Sequence, residues 1–259
     1  MRRAFDSEWV KLRRPALVVG VLLTFALLGA LTTMLPFATY LSQGTEPGTA
    51  GLSLAAPDGW MSGLHESAVL LGVAALVVCA SSFAGEYTHG TLRNLLLRQS
   101  DRRALLVGKF AALASLLLAG AVVAVIAAAA TAFAFAASYD LHTSDWLSGP
   151  GLRVAASTTA GLAAALIGYG LVGALLGVVI RTTAAAVGVG VGYVLAVETL
   201  LGAAMPDLGG WLPGQLLSTV VSAGSETVGL GAALLRVGCY FAVAVPAAML
   251  LFARRDVTS

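Results

Sequence analysis

The sequence predicts an all-α polytopic membrane protein with six transmembrane helices, and three observations carry that prediction. Hydrophobic residues make up 58% of the 259 residues and charged residues only 11%, against about 25% charged in a soluble domain. So few charges cannot cover a water-facing surface. Six apolar stretches, 16–36, 67–84, 104–137, 152–180, 184–204 and 230–253, each reach the ~17–25 residues needed to cross a bilayer. The runs are continuous, without the period-two alternation of barrel strands, so they read as helices.

Basic residues orient the spans. Arg2, Arg3, Lys11, Arg13 and Arg14 precede the first, and Arg93, Arg98, Arg102, Arg103 and Lys109 lie between or just inside the second and third. Arg181 joins the fourth to the fifth, and Arg254 and Arg255 follow the sixth. Thirteen of the 15 Lys and Arg thus fall on one side, which the positive-inside rule makes cytoplasmic, with both termini. The other side holds Glu46, Asp58, Glu66, Asp140, Asp145, Asp207 and Glu226. Trp60, Trp146 and Trp211 also fall there, where an aromatic belt at the headgroups is expected.

Within a single transmembrane domain over 1–259, the leader 1–15 comes first. Phe5, Trp9 and Leu12 form one helical stripe opposite Arg3, Lys11 and Arg14, the pattern of a short interfacial helix. A frayed, solvated tail is the alternative. The apolar run that follows exceeds the ~7–15 residues of a signal core, and Asp6 and Glu8 interrupt the leader, so the first span is expected to stay uncleaved. Spans three and four exceed bilayer length and are expected to tilt or project. Cys79 and Cys239 sit in apolar runs as small hydrophobes, without metal-ligand spacing. Gly173 with Gly177, and Gly188 with Gly192, have the spacing of close helix contacts, either within a subunit or between subunits.

Residues 85–109 are the most polar interruption. Gly90 can end a helix, Thr91 can cap a short one over 92–97, and Leu92, Leu95 and Leu96 would share a face apart from Arg93 and Asn94. Ser100 and Asp101 then cap the third span. Such a helix is a surface on which a cytoplasmic motor could push; a basic loop that only sets topology fits equally well.

Enzymatic motifs are not found. Gly108-Lys109 lacks the Ser/Thr that ends a phosphate loop, because Phe110 follows, and Arg103 stands where the earlier glycine belongs. His65, His89 and His142 are scattered over different loops, so neither a catalytic set nor a metal site is expected; His142 between Asp140 and Asp145 reads as solvated loop.

Two charges lie deep. Glu198 in the fifth span and Arg236 in the sixth each sit about six residues inside the outer boundary, roughly 9 Å at 1.5 Å per residue. An unpaired charge there is costly, so the two are expected to pair; the competing reading puts Glu198 on a substrate pathway. Between these spans, Pro206, Pro213 and Gly209, Gly210 and Gly214 break regular helix over 205–228, while Trp211, Leu212, Leu216 and Leu217 stay apolar. Broken helix at membrane depth needs cover from protein or a cavity.

Glu86, Gly90-Thr91, Arg102-Arg103 and Lys109 resemble the Glu…Gly-Thr…Arg…Lys pattern that follows the second span in permease subunits of ABC type-2 transporters. The usual proline before the arginines is absent, with Ser100-Asp101 in its place. The likeness extends to the interfacial leader, the six spans and the Pro/Gly-bearing outer segment. It implies that residues 86–103, with Glu86, His89, Gly90, Thr91, Arg93, Arg98, Arg102 and Arg103, form a coupling segment seated on a separate ATP-binding subunit. The turn around Arg181 would make a second contact, and re-entrant helices near Pro206, Trp211 and Pro213 would cap the exit as an outer gate. Implied partners are two ATP-binding subunits, which would hold the ATP and Mg, a second permease copy or paralogue, and membrane lipid. No cofactor in this chain and no nucleic acid are expected. The resemblance implies an exporter in a bacterial plasma membrane, and the sparse polar lining suggests an amphipathic or apolar substrate. A secondary transporter or channel working alone, or a membrane anchor or sensor for an ATPase, are the other classes.

Overall fold

The structure is a computed structural model that describes residues 15–42, 54, 56–88, 102–138, 143–225 and 227–254. Among them, every regular element is helical. Helix α1 (Pro15–Ser42) is followed by a single 3-10 turn, Gly59–Met61, and the short α2 (Ser62–Glu66). Then come α3 (Ala68–Thr88), α4 (Arg102–Ser138) and α5 (Gly149–Ile180). The next span is composite: α6 (Thr183–Gly192), a π-helical turn at Tyr193–Glu198, and α7 (Thr199–Ala204). Two short helices, α8 (Pro206–Gly209) and α9 (Pro213–Val221), precede α10 (Leu230–Arg254). Six helical stretches are long and apolar enough to cross a membrane, Pro15–Ala38, Ala68–Thr88, Ala104–Ser138, Gly149–Ile180, Thr183–Ala204 and Leu230–Leu251. Their limits lie within a few residues of the sequence expectation, because bilayer thickness sets the length of an apolar run directly. The third and fourth are the long ones, at 35 and 32 residues. The interfacial leader and the short helix over 92–97 lie outside the described residues.

Lipid supplies no hydrophobic drive between helices, so small residues that let backbones approach do the packing. The most extensive pairing is α3 against α5. There Gly173 lies so close that a Cβ on it would stand 2.2 Å from the Leu76 carbonyl oxygen. Helix α1 pairs with α4 through an alanine ladder, Ala121, Ala124, Ala128, Ala132 and Ala136, all buried. By contrast α10 turns Leu234, Leu235, Tyr240 and Val243 outward and touches the bundle mainly through α5 and α9.

The end of the molecule opposite Arg181 corrects one expectation. Trp211 is 55% exposed, but Trp60 and Trp146 are buried. Phe133 stands between them, its ring centroid 6.2 Å from Trp60 and 5.1 Å from Trp146, the latter edge-on. The Trp146 indole donates to the Leu54 carbonyl at 2.9 Å. The 3-10 turn and α2 fold over the ends of α1 and α4, so these two indoles plug the bundle instead of facing headgroups.

Candidate functional site

At the basic end, the chain entering and leaving residues 89–101 is clamped. Glu86, on the last turn of α3, accepts from Lys109 Nζ at 2.5 Å, and the lysine, 4% exposed, also lies over the Phe83 ring at 5.4 Å. Lys109 sits two turns into α4, so this ion pair joins the two helices that flank the polar segment. Hydrogen-bonded pairs between ions are shorter and stronger than neutral ones, and more so where water is scarce. His89, Gly90, Thr91, Arg93 and Arg98 lie outside the described residues. Arg102 and Arg103 begin α4, and their side chains are outside the described set.

The α5–α6 turn packs against the same end of α3. Arg181 closes α5 in the left-handed conformation, φ 65°, its backbone N–H on the Gly177 carbonyl at 3.1 Å. This αL cap is usually taken by glycine. Its guanidinium lies 5.2 Å from the Tyr87 ring centroid, and Thr183 Oγ1 is 3.4 Å from Thr88 Oγ1. Thus the sequence-predicted Glu86 and Arg181 fall on the same end of the bundle, joined through Tyr87 and Thr88.

The expected Glu198–Arg236 ion pair is corrected. Glu198 is 2% exposed, and its two carboxylate oxygens accept from the backbone N–H groups of Gly214 at 3.1 Å and Gln215 at 3.2 Å. These donors open α9, whose N-cap position is Leu212 and whose N1 is proline. Leucine cannot cap, so the orphan N–H groups and the positive end of the helix dipole take the carboxylate of a neighbouring span. Tyr169 of α5 adds a third tie, donating to the Gly214 carbonyl at 2.9 Å. Gly214 is required by the close approach: a Cβ there would stand 2.3 Å from Glu198 Oε2. Arg236 is satisfied elsewhere. It donates to the Gly210 carbonyl, and its guanidinium lies 4.2 Å from the Trp211 ring centroid, a cation–π contact. Tyr240, one turn on, donates to the Trp211 carbonyl at 2.7 Å. Of the remaining outer-segment residues, Pro206 and Pro213 each occupy the first turn of a short helix, where a missing N–H costs nothing.

Sequence reasoning missed Tyr169 and the α9 N-terminus as partners of Glu198. A readable signal existed: a helix opening Leu-Pro-Gly has no cap of its own, so an acceptor must come from elsewhere in the fold.

A family model described as ABC-2 family transporter protein matches residues 4–197. No curated protein matches the chain.

Proposed function

The chain belongs to the ABC-2 family of transporter proteins as a membrane permease subunit, and on that premise we propose that it exports an amphipathic or apolar molecule across a bacterial plasma membrane. Two separate ATP-binding subunits would dock on residues 86–103 and on the Arg181–Thr183 turn, and a second permease copy or paralogue would complete the pathway. The observation that carries this reading is the Glu86–Lys109 pair, which holds both ends of the polar segment against one bundle end. A push on that segment then reaches α3 and α4 together, and α6 through Tyr87, Thr88 and Arg181.

The outer segment supports a re-entrant gate. Against α5, Val220 of α9 lies beside Gly161, while Leu217 lies beside Gly168 and Gly214 beside Tyr169. Helix α9 therefore runs antiparallel to α5, with its N-terminus at the deeper level, about 16 Å from the Ile180 end by helical rise.

The described cavities support an apolar cargo. One of about 640 Å³ lies between α5, α9 and α10 against Leu176, Leu217, Val237 and Cys239, and one of about 270 Å³ between α3, α4, α5 and α10 against Phe83, Phe110, Leu171 and Val245. The larger has the size of a small-molecule site. Its Cys239 is exposed, while Cys79 is buried. A membrane-permeant maleimide should therefore label one thiol, disappear in Cys239→Ala, and react severalfold more slowly when a dodecyl-chain amphiphile fills the cavity. Labelling unaffected by any amphiphile would remove the cavity from the cargo path.

Affinity purification in mild detergent, with the neighbouring genes co-expressed, tests the whole reading. A stoichiometric ATPase is expected, and replacing Arg102 and Arg103 with Glu should release it. A chain that purifies alone and moves solute without ATP would be a secondary transporter instead.

A further inference from the structure

Resting on the reading of an ATP-driven permease, we infer that Glu198 is a positioning residue: a latch that holds the outer helix α9 to the fifth span at rest and lets go during the transport cycle. Three features of the geometry lead there.

The polar attachment of α9 to the fifth span is a carboxylate on backbone N–H groups. Both oxygens are used, on Gly214 and Gln215, and the donors belong to a nine-residue helix with no cap of its own. Such bonds are strong while aligned and fail together when the carboxylate moves along the helix axis.

The carboxylate stands on the part of the span best able to move it. Glu198 closes the π-helical turn Tyr193–Glu198, an irregularity in which one extra residue is held per turn. Return of that turn to α geometry rotates everything beyond it relative to α6, and π-turns of this kind concentrate at functional positions. Tyr193, at the start of the turn, flanks the same carboxylate. No other described acidic or basic side chain contacts Glu198, so its hold on α9 is set by these donors.

The span connects the latch to the drive. Its first residue, Thr183, adjoins Thr88, and Arg181 before it lies on Tyr87. Fifteen residues separate Thr183 from Glu198, roughly 22 Å of helix. Beyond the latch, α8 and the Trp211 turn are held to α10 by Arg236 and Tyr240. Displacement of the fifth span against α10 therefore concentrates on the Glu198 contacts.

The test uses the full transporter with its ATPase partner, and spin labels on α7 and α9. Gly202 lies one turn beyond Glu198, and a Cβ there would be 3.2 Å from Gln215 Nε2. Nitroxides on Gly202→Cys and Gln215→Cys, in a Cys239→Ala background, are expected to show strong dipolar broadening at rest. Trapping with ATP and orthovanadate should remove that broadening. Broadening that persists in a trapped, turnover-competent complex overturns the latch. In Glu198→Gln the amide keeps one acceptor but presents an NH₂ to the other donor, so broadening should already be reduced at rest while the partner ATPase still co-purifies. A Glu198→Gln spectrum identical to the parent at rest and trapped overturns the role of Glu198 itself. A purified complex without ATP turnover, recorded before any spectrum, instead removes the reading on which the latch rests.

Discussion

Lys109→Met is expected to strip most of the protein from the monodisperse, detergent-soluble fraction. The lysine is 4% exposed and its Glu86 partner 13%, with 2.5 Å between Nζ and Oε1. Removing the cation alone leaves the carboxylate in a poorly solvated place, and breaking a buried pair in this one-sided way costs about 3 kcal/mol. That is roughly a hundredfold in the folded fraction. The double variant Glu86→Gln, Lys109→Met should recover most of the yield, since replacing both members of a buried pair by groups of similar shape is often neutral. It should not recover function. With both charges gone, the chain entering and leaving residues 89–101 is no longer clamped, and ATP turnover of the co-purified partner should lose its dependence on cargo. Size-exclusion yield and partner ATPase activity, measured on the two variants side by side, separate the two roles. If Lys109→Met alone is as soluble as the native chain, the pair does not hold the fold. If the double variant couples normally, the clamp is not part of the drive.

What could be read from the sequence divides along a physical line. The six spans were legible because a bilayer imposes one length and one hydropathy, and both are properties of a single run of residues. Glu86 and Lys109 are both legible as members of a motif; that they touch each other is not, because they stand 23 positions apart in the chain. Glu198 is legible as a deep charge, and its partner is not. A deep charge in sequence points to a side chain of opposite sign or to a pathway, whereas a buried carboxylate is satisfied equally well by backbone N–H groups at a helix start. The loop positions of Trp60 and Trp146 point to the headgroup belt, and the structure buries both. The 3-10 turn and α2 that bury them are too short to leave a periodic signal. The two glycine pairs, Gly173 with Gly177 and Gly188 with Gly192, looked alike because spacing reports a helix face and not what covers it.

That last difference yields the second large effect. Gly173→Val should prevent assembly of the bundle, while Gly188→Val should leave the fold of the single chain intact. A Cβ at Gly173 would stand 2.2 Å from the Leu76 carbonyl oxygen and 3.0 Å from its Cα, all backbone atoms that cannot rotate away. Relief requires α3 and α5 to move apart by about an ångström, since ordinary carbon contacts begin near 3.5 Å. The seam then opens at Gly177 as well, where a Cβ would already be 2.8 Å from Phe83 Cβ. Overpacking of a relaxed core costs ~1–3 kcal/mol; here the strain falls on two rigid backbones along the most extensive helix contact of the molecule, so the cost belongs at or above the top of that range. Because Glu86 lies on the last turn of α3 and Arg181 caps α5, the same separation pulls the basic end apart. At Gly188 nothing lies within 4 Å of the added carbon, so the substitution meets only the medium around the chain. Thermal unfolding in detergent tests this directly: a large loss for Gly173→Val with no shift for Gly188→Val is expected, and equal behaviour of the two would mean that the α3–α5 seam is not packed as described.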